Sequence, residues 1–215
     1  SQGKIRSAIG EYELVVKHDS RDFGTLNMLG DLYTKNTDIK SAVRCYTSVA
    51  EYYGKQGFAQ KAIAVYNKIS KLEPDSIEVS QRLAEWYKLK GSLKEARAHY
   101  EGVAEYFQSK GLRLDALGMR KQIALLDSFN AEAYLSLAQS YQAEGEADEA
   151  FEAYLEAGKR FTNKRDVEAA AGAHLKAIEL KRDDSRALTG YVKSQFALGA
   201  PQRAAKKLGG LLEEF

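Results

Sequence analysis

The chain has 215 residues, 44% apolar content and a formal charge of +2: enough apolar material for a core, and no net field that would draw nucleic acid or an anionic membrane. Its single cysteine, Cys45, excludes an intrachain disulfide and a cysteine-rich zinc site. No apolar run reaches the roughly 18 residues of a membrane-spanning helix. A lone thiol suits a reducing compartment, and the expected location is the cytoplasm. The sequence opens without an initiator Met and without the charged and apolar regions of a signal peptide, so it reads as a piece of a longer chain. Two prolines and many Ala, Leu, Lys, Glu and Tyr favour helix, and no Asn-Gly hairpin signal is present.

Self-similarity at a 54-residue step organises the chain. Ala42, Ala96, Ala150 and Ala204 share one position. Tyr46, Tyr100 and Tyr154 share another, as do Leu29, Leu83 and Leu137. Tyr53, Phe107, Phe161 and Phe215 make a fourth column, and Ala8, Ala62, Ala116 and Ala170 a fifth. The reading is one array over residues 1–215. The tail of a repeat occupies 1–22, full repeats occupy 23–76, 77–130 and 131–184, and 185–215 begin another.

Each repeat reads as three helices. In the central copy the first runs from about Ile77 to Lys90, with Leu83, Ala84 and Tyr87 on one face, and Gly91 ends it in the left-handed conformation. The second runs from Leu93 to about Ser109. It carries Ala96, Tyr100, Val103 and Phe107 at i, i+4, i+7 and i+11, which is one helical stripe. The third runs from about Leu112 to Leu126, with Ala116, Ile123 and Leu126 inward. Its counterpart in the first full repeat stops before Pro74, which cannot continue a helix. Gly30, Ala84 and Ala138 are expected to face Ala42, Ala96 and Ala150, because helices joined by a short turn approach closely only through small residues. Gly10, Gly118 and Gly172, with Ala64, form a column inside the third helix. Mid-helix glycine costs about 1 kcal/mol against Ala, so this column predicts a closely packed neighbour.

These residues give the chain a resemblance to the tetratricopeptide repeat (TPR) family. Leu26, Leu29, Gly30, Tyr33, Ala42, Tyr46 and Val49 follow its pattern over 23–56. A second match starts 20 residues later with Tyr46, Val49, Ala50, Tyr53, Ala62, Tyr66, Ile69 and Pro74, so the middle helix serves two overlapping motifs. In later repeats Arg120 and His174 stand where the first has Tyr66, and Arg182 stands where it has Pro74. The resemblance implies an all-α, right-handed TPR-like helical-repeat solenoid. It implies a protein–protein interaction scaffold that holds a peptide or partner domain in a concave groove, and no enzyme. Bacterial multi-protein assemblies use scaffolds of similar pattern.

By the same resemblance, first-helix residues off the core stripe line the groove. Here these are Asn27, Asp31 and Thr34; Gln81, Glu85 and Lys88; Leu135, Gln139 and Gln142; and Thr189, Lys193 and Phe196. The Lys and Asn pair with which one TPR subfamily grips a C-terminal carboxylate is absent, since Asn27 and Asp31 hold those places. Tyr52 and Trp86 are the aromatics expected to be partly exposed, and aromatic anchors are favoured at interfaces. Two other partner readings stand beside this one: self-assembly through open solenoid ends, and a helical-repeat RNA binder.

No residue constellation names a reaction or a cofactor. His18, His99 and His174 lie on separate helices, none at i, i+4 from another metal-ligand type; His99 is expected on a solvated flank and His174 near the core. No glycine-rich phosphate loop follows a strand. Lys159–Arg160, Lys164–Arg165, Lys181–Arg182 and Lys206–Lys207 resemble a nucleic-acid stripe, but 131–215 is net acidic and solvated helix ends explain them.

Overall fold

The structure, a computed structural model, describes residues 2–127 and 130–213, so Phe215 of the aromatic column lies outside the described residues. Twelve α-helices and no strand are found among the described residues. They are α1 (Gln2–His18), α2 (Phe23–Lys35), α3 (Ile39–Lys55), α4 (Ala59–Leu72), α5 (Ile77–Lys90), α6 (Leu93–Ser109), α7 (Arg113–Leu126), α8 (Ala131–Ala143), α9 (Ala147–Asn163), α10 (Val167–Leu180), α11 (Ser185–Ala197) and α12 (Pro201–Glu213). Helix starts recur at the 54-residue step: Phe23, Ile77, Ala131 and Ser185 open first helices, and Ile39, Leu93, Ala147 and Pro201 open second ones. The third helices α4, α7 and α10 keep one length although Arg120 and His174 replace Tyr66.

Local chemistry fixes these ends. Asp22, Ser76, Asn130 and Asp184 each cap the following first helix by accepting a backbone N–H bond. Each turn into a second helix passes through one left-handed residue: Thr37, Gly91, Gly145 or Gly199. Each turn into a third helix does the same at Gly57, Gly111 or Arg165. Glycine holds φ values such as the 82° of Gly91 without strain, whereas Thr37 and Arg165, at 61° and 63°, carry a Cβ penalty of roughly 1–2 kcal/mol.

Two compact units divide the chain, residues 1–106 and 107–215, called the N-unit and C-unit below. In the N-unit α1 to α5 pack pairwise in chain order. Leu29 and Tyr33 of α2, Ala42, Tyr46 and Val49 of α3, Ile63 and Ile69 of α4 and Leu83 of α5 make its core. In the C-unit α7 to α12 pack in the same succession, and α11 also reaches α9. Its core joins Leu117 and Ala124 to Leu137, Ala138, Phe151, Tyr154, Ile178 and Tyr191. A satellite cluster holds Ala131, Ala157, Phe161, Ala170 and Ala173. Phe151 is fully buried, worth roughly 2–3 kcal/mol of transfer free energy. No described helix is long and apolar enough to cross a membrane.

Where they lie on the stripe the small residues are buried: Ala42, Ala84, Ala96, Ala138 and Ala150 have no exposed surface. Gly30, however, is met by a ring rather than by Ala42, since a Cβ there would lie 2.6 Å from Cε1 of Tyr46. The mid-helix glycine column is corrected outright. A Cβ at Gly10, Gly118 or Gly172 would meet nothing within 4 Å, so no neighbour packs closely there. These positions follow the core alanine by two residues, which turns them to the opposite face of the helix. Nothing in the structure explains the glycines. Ile123, expected inward, is half-buried, while Leu117 and Ala124 of α7 are buried instead.

Both inner histidines are packed. His99 is half-buried and stacked on Tyr87 with ring centroids 5.6 Å apart, not on a solvated flank. His174 is 6% exposed and wedged between two glycines: a Cβ on Gly158 of α9 would lie 2.6 Å from its Nε2, and one on Gly190 of α11 would lie 2.4 Å away. Burial lowers the pKa of both rings. At His174 burial is the larger cause and the Ala170 carbonyl works against it; the buried Nδ1 has no hydrogen-bond partner within bonding geometry among the described residues. A base held neutral in the folded state stabilises fully above its unfolded pKa of 6.5; stability falls as pH drops below that value towards the folded pKa. Thermal melts between about pH 5 and pH 7.5 should therefore show falling stability towards acid, with the fall reduced in His174→Phe. An equal pH slope in the variant would remove His174 as a cause.

Candidate partner-binding surface

The first-helix positions of the N-unit do not stand free. Lys68 of α4 reaches across to α2, where its ammonium donates to Asp31 at 2.7 Å and to Asn27 at 3.1 Å. The Tyr46 hydroxyl donates to the same Asp31 oxygen at 2.5 Å, and the Lys68 ammonium lies 4.9 Å from the Tyr46 ring centroid. Thr34 bonds back to the Gly30 carbonyl at 2.9 Å. Burial works to raise the Asp31 carboxyl, but Lys68 and Tyr46 outweigh it and hold it below the usual range. Burial, with Asp31 beside it, pushes Tyr46 up to about 12. The predicted residues Asn27, Asp31 and Thr34 thus come together, tied by two residues that sequence reasoning placed in the core or left out.

On α5, Gln81 and Lys88 are half-buried, while exposed Glu85 pairs with Arg82 at 3.5 Å. Trp86 lies over the C-terminal turn of α3, where a Cβ on Gly54 would sit 2.5 Å from its Cζ2. The absent side chain at Gly54 makes room for the indole. Beside it a pocket of about 410 Å³ opens between α3, α4 and α5, lined by Glu51, Tyr66, Arg82, Glu85 and Trp86 among others. Tyr52 is not in that pocket. Its ring stacks on Phe23 with centroids 3.8 Å apart and planes 10° apart.

In the C-unit, Gln139 and Gln142 are exposed and Leu135 is half-buried against the core. Gln142 accepts a hydrogen bond from the Tyr154 hydroxyl at 2.8 Å. Thr189, Lys193 and Phe196 are exposed on α11, Phe196 with 64% of its surface. The basic runs are largely neutralised. Lys164 pairs with Glu132 at 2.6 Å and Lys181 with Asp148 at 2.7 Å. Arg160 bonds Glu156 at 2.7 Å and the Asp127 carbonyl at 2.9 Å, and its guanidinium lies 4.0 Å from the Tyr134 ring centroid. Among the described residues no three His, Cys, Asp or Glu side chains converge as metal ligands.

Helices α8 and α9, with capping Asn130, buried Leu137 and Ala138, and fully buried Ala150 at the contact, form an antiparallel hairpin. Residues 131–159 within it match the tetratricopeptide repeat family. The chain carries a tetratricopeptide repeat. The TPR match falls on the third copy of the 54-residue pattern, and α2–α3 and α5–α6 start at the same positions of their own copies. No curated protein matches the sequence. Among solved structures, the chain is similar to MamA (residues 41 to the end) from Desulfovibrio magneticus RS-1, at 14% identity and a TM-score of 0.48, covering 80% of this chain and 93% of that one. It is also similar to BtubC from P. vanneervenii, at 14% identity and a TM-score of 0.47, covering 99% and 88%. At these scores neither bears on function; the TPR assignment rests on the matched repeat and on the helices themselves.

Proposed function

We propose that this TPR chain is a protein-interaction module, with the α3–α5 pocket of the N-unit as the anchor for a peptide or partner segment. The observation that carries the reading is Trp86, half-buried over Gly54 at the edge of a pocket of about 410 Å³ that also holds Tyr66 and the charged pair Arg82–Glu85. An aromatic platform beside oriented charges is the composition of an interface anchor. Asn27, Asp31, Thr34, Gln81 and Lys88 extend the contact surface along the first helices of the N-unit, and Leu135, Gln139 and Gln142 take the matching positions in the C-unit. Helices already packed in the free protein leave little ordering cost on the scaffold side.

Affinity capture with the chain and with Trp86→Ala tests the reading. The variant should keep its helix content and lose the captured partner. Trp86 is the only tryptophan, so its emission reports the same event directly and should shift when the captured partner is added back. A partner set indifferent to both Trp86→Ala and Glu85→Lys would place the contact elsewhere.

A further inference from the structure

One cavity recurs at a fixed position of the repeat. In the N-unit it measures about 400 Å³ and is lined by Leu29, Tyr33, Arg44 and Cys45. In the C-unit it appears between α7, α8 and α9 at about 290 Å³, lined by Leu137, Tyr141, Glu152 and Ala153. It appears again between α10, α11 and α12 at about 600 Å³, where Tyr191, Lys206 and Lys207 take the places of Leu137, Glu152 and Ala153. The cavity occupies the same place in these three copies of the repeat, and the sequence changes what lines it.

In the last copy the change is one of charge. Arg203, Lys206, Lys207 and Gly210 fall at i, i+3, i+4 and i+7 of α12, so they share the face that lines the cavity. The same places on α9 carry Glu149, Glu152, Ala153 and Glu156. Several other cations of the C-unit are answered by carboxylates: Lys164 by Glu132, Lys181 by Asp148, and Arg186 by Glu152. Glu179, the one carboxylate lining the α12 cavity among the described residues, is already held by Lys176 at 2.7 Å. Among the described residues Arg203, Lys206 and Lys207 have no carboxylate partner. Like charges at i, i+3 and i+4 repel within a helix, so α12 alone gains nothing from this arrangement.

We infer that the cavity between α10, α11 and α12 is a docking site for a carboxylate-rich peptide segment of a partner protein. The occupant follows from charge complementarity. The cations form a short local cluster, while 131–215 as a whole carries more Asp and Glu than Lys and Arg. A cluster of this length matches a short acidic segment. The site stands on a second helix and uses neither Trp86 nor any of the first-helix groove positions named above. It rests on the interaction-module reading in kind, but its test is read on the purified chain without the captured partner, so either can fail alone.

Fluorescence anisotropy with a labelled, Glu-rich peptide of about twelve residues is the test. The chain should bind it saturably, more weakly at about 300 mM than at about 50 mM NaCl. The double variant Lys206→Glu/Lys207→Glu should raise Kd by about tenfold or more, with Arg203→Gln giving a smaller rise in the same direction. Lys40→Glu, the same kind of charge reversal at a single exposed site on α3, should leave Kd unchanged. Circular dichroism checks that each variant keeps its helices. Equal binding by the folded double variant overturns the site. Tighter binding of a single-stranded RNA than of the peptide overturns the occupant. So does light scattering that shows the α12 cations driving association between copies of the chain instead.

Discussion

Ala150→Glu is expected to unfold the C-unit. Ala150 has no exposed surface and lies in the contact of α8 with α9, in one cluster with Leu137, Ala138, Phe151 and Tyr154. A glutamate there has two outcomes. Its carboxylate stays in the core without a partner, at a cost of about 3–5 kcal/mol, or it protonates and still overpacks the contact by about 1–3 kcal/mol. Either is a large share of the roughly 5–15 kcal/mol that holds an ordinary domain folded. Limited proteolysis should cut the variant first within 107–215 and spare the N-unit, and circular dichroism should show partial loss of helix. An unchanged melting temperature would falsify the proposed contact.

Gly190→Val should destabilise the same unit through the wedge around His174. A Cβ at position 190 would sit 2.4 Å from the imidazole Nε2, and the ring has no room to retreat, because Gly158 lies so close on α9 that a Cβ there would be 2.6 Å from the same atom. The expected cost is about 1–3 kcal/mol, several degrees in melting temperature for a unit of this size. The decisive measurement is the double-mutant cycle. His174→Ala alone leaves a cavity and destabilises. In the His174→Ala background the valine fills part of that space, so the two effects should fall short of their sum by more than about 0.5 kcal/mol. Simple additivity would show that the ring is free to move.

The helices were legible because their signals are local. Gly91, Gly145 and the capping Asp22 and Asp184 act within a turn of their own residue, and the Ala–Tyr stripe identifies the buried face without knowledge of any neighbour. The Asp22, Ser76, Asn130 and Asp184 column was itself readable, as a cap residue recurring at the repeat step. Glycine was misread where its meaning is not local. Gly118 and Gly158 look alike in sequence, yet one faces open space and the other a buried histidine. The face each presents had to be counted from the core stripe. Among the candidate site residues, Asn27 and Asp31 were placed on the right helix. Their link to Lys68 depends on how α2 lies beside α4, which periodicity does not encode.

The left-handed residues carry a consequence for how such a chain changes length. Thr37, Gly91, Gly145 and Gly199 mark one phase of the repeat, and Gly57, Gly111 and Arg165 another. Thr37 and Arg165 make the same bend without glycine, so the bend belongs to the repeat rather than to one residue type. A gain or loss of one or two residues between these points would put the bend inside a helix and turn every buried stripe after it towards water. A gain or loss of a whole 54-residue block returns each bend to its place. Whole 54-residue blocks are thus the length changes that keep every bend and every buried stripe in register.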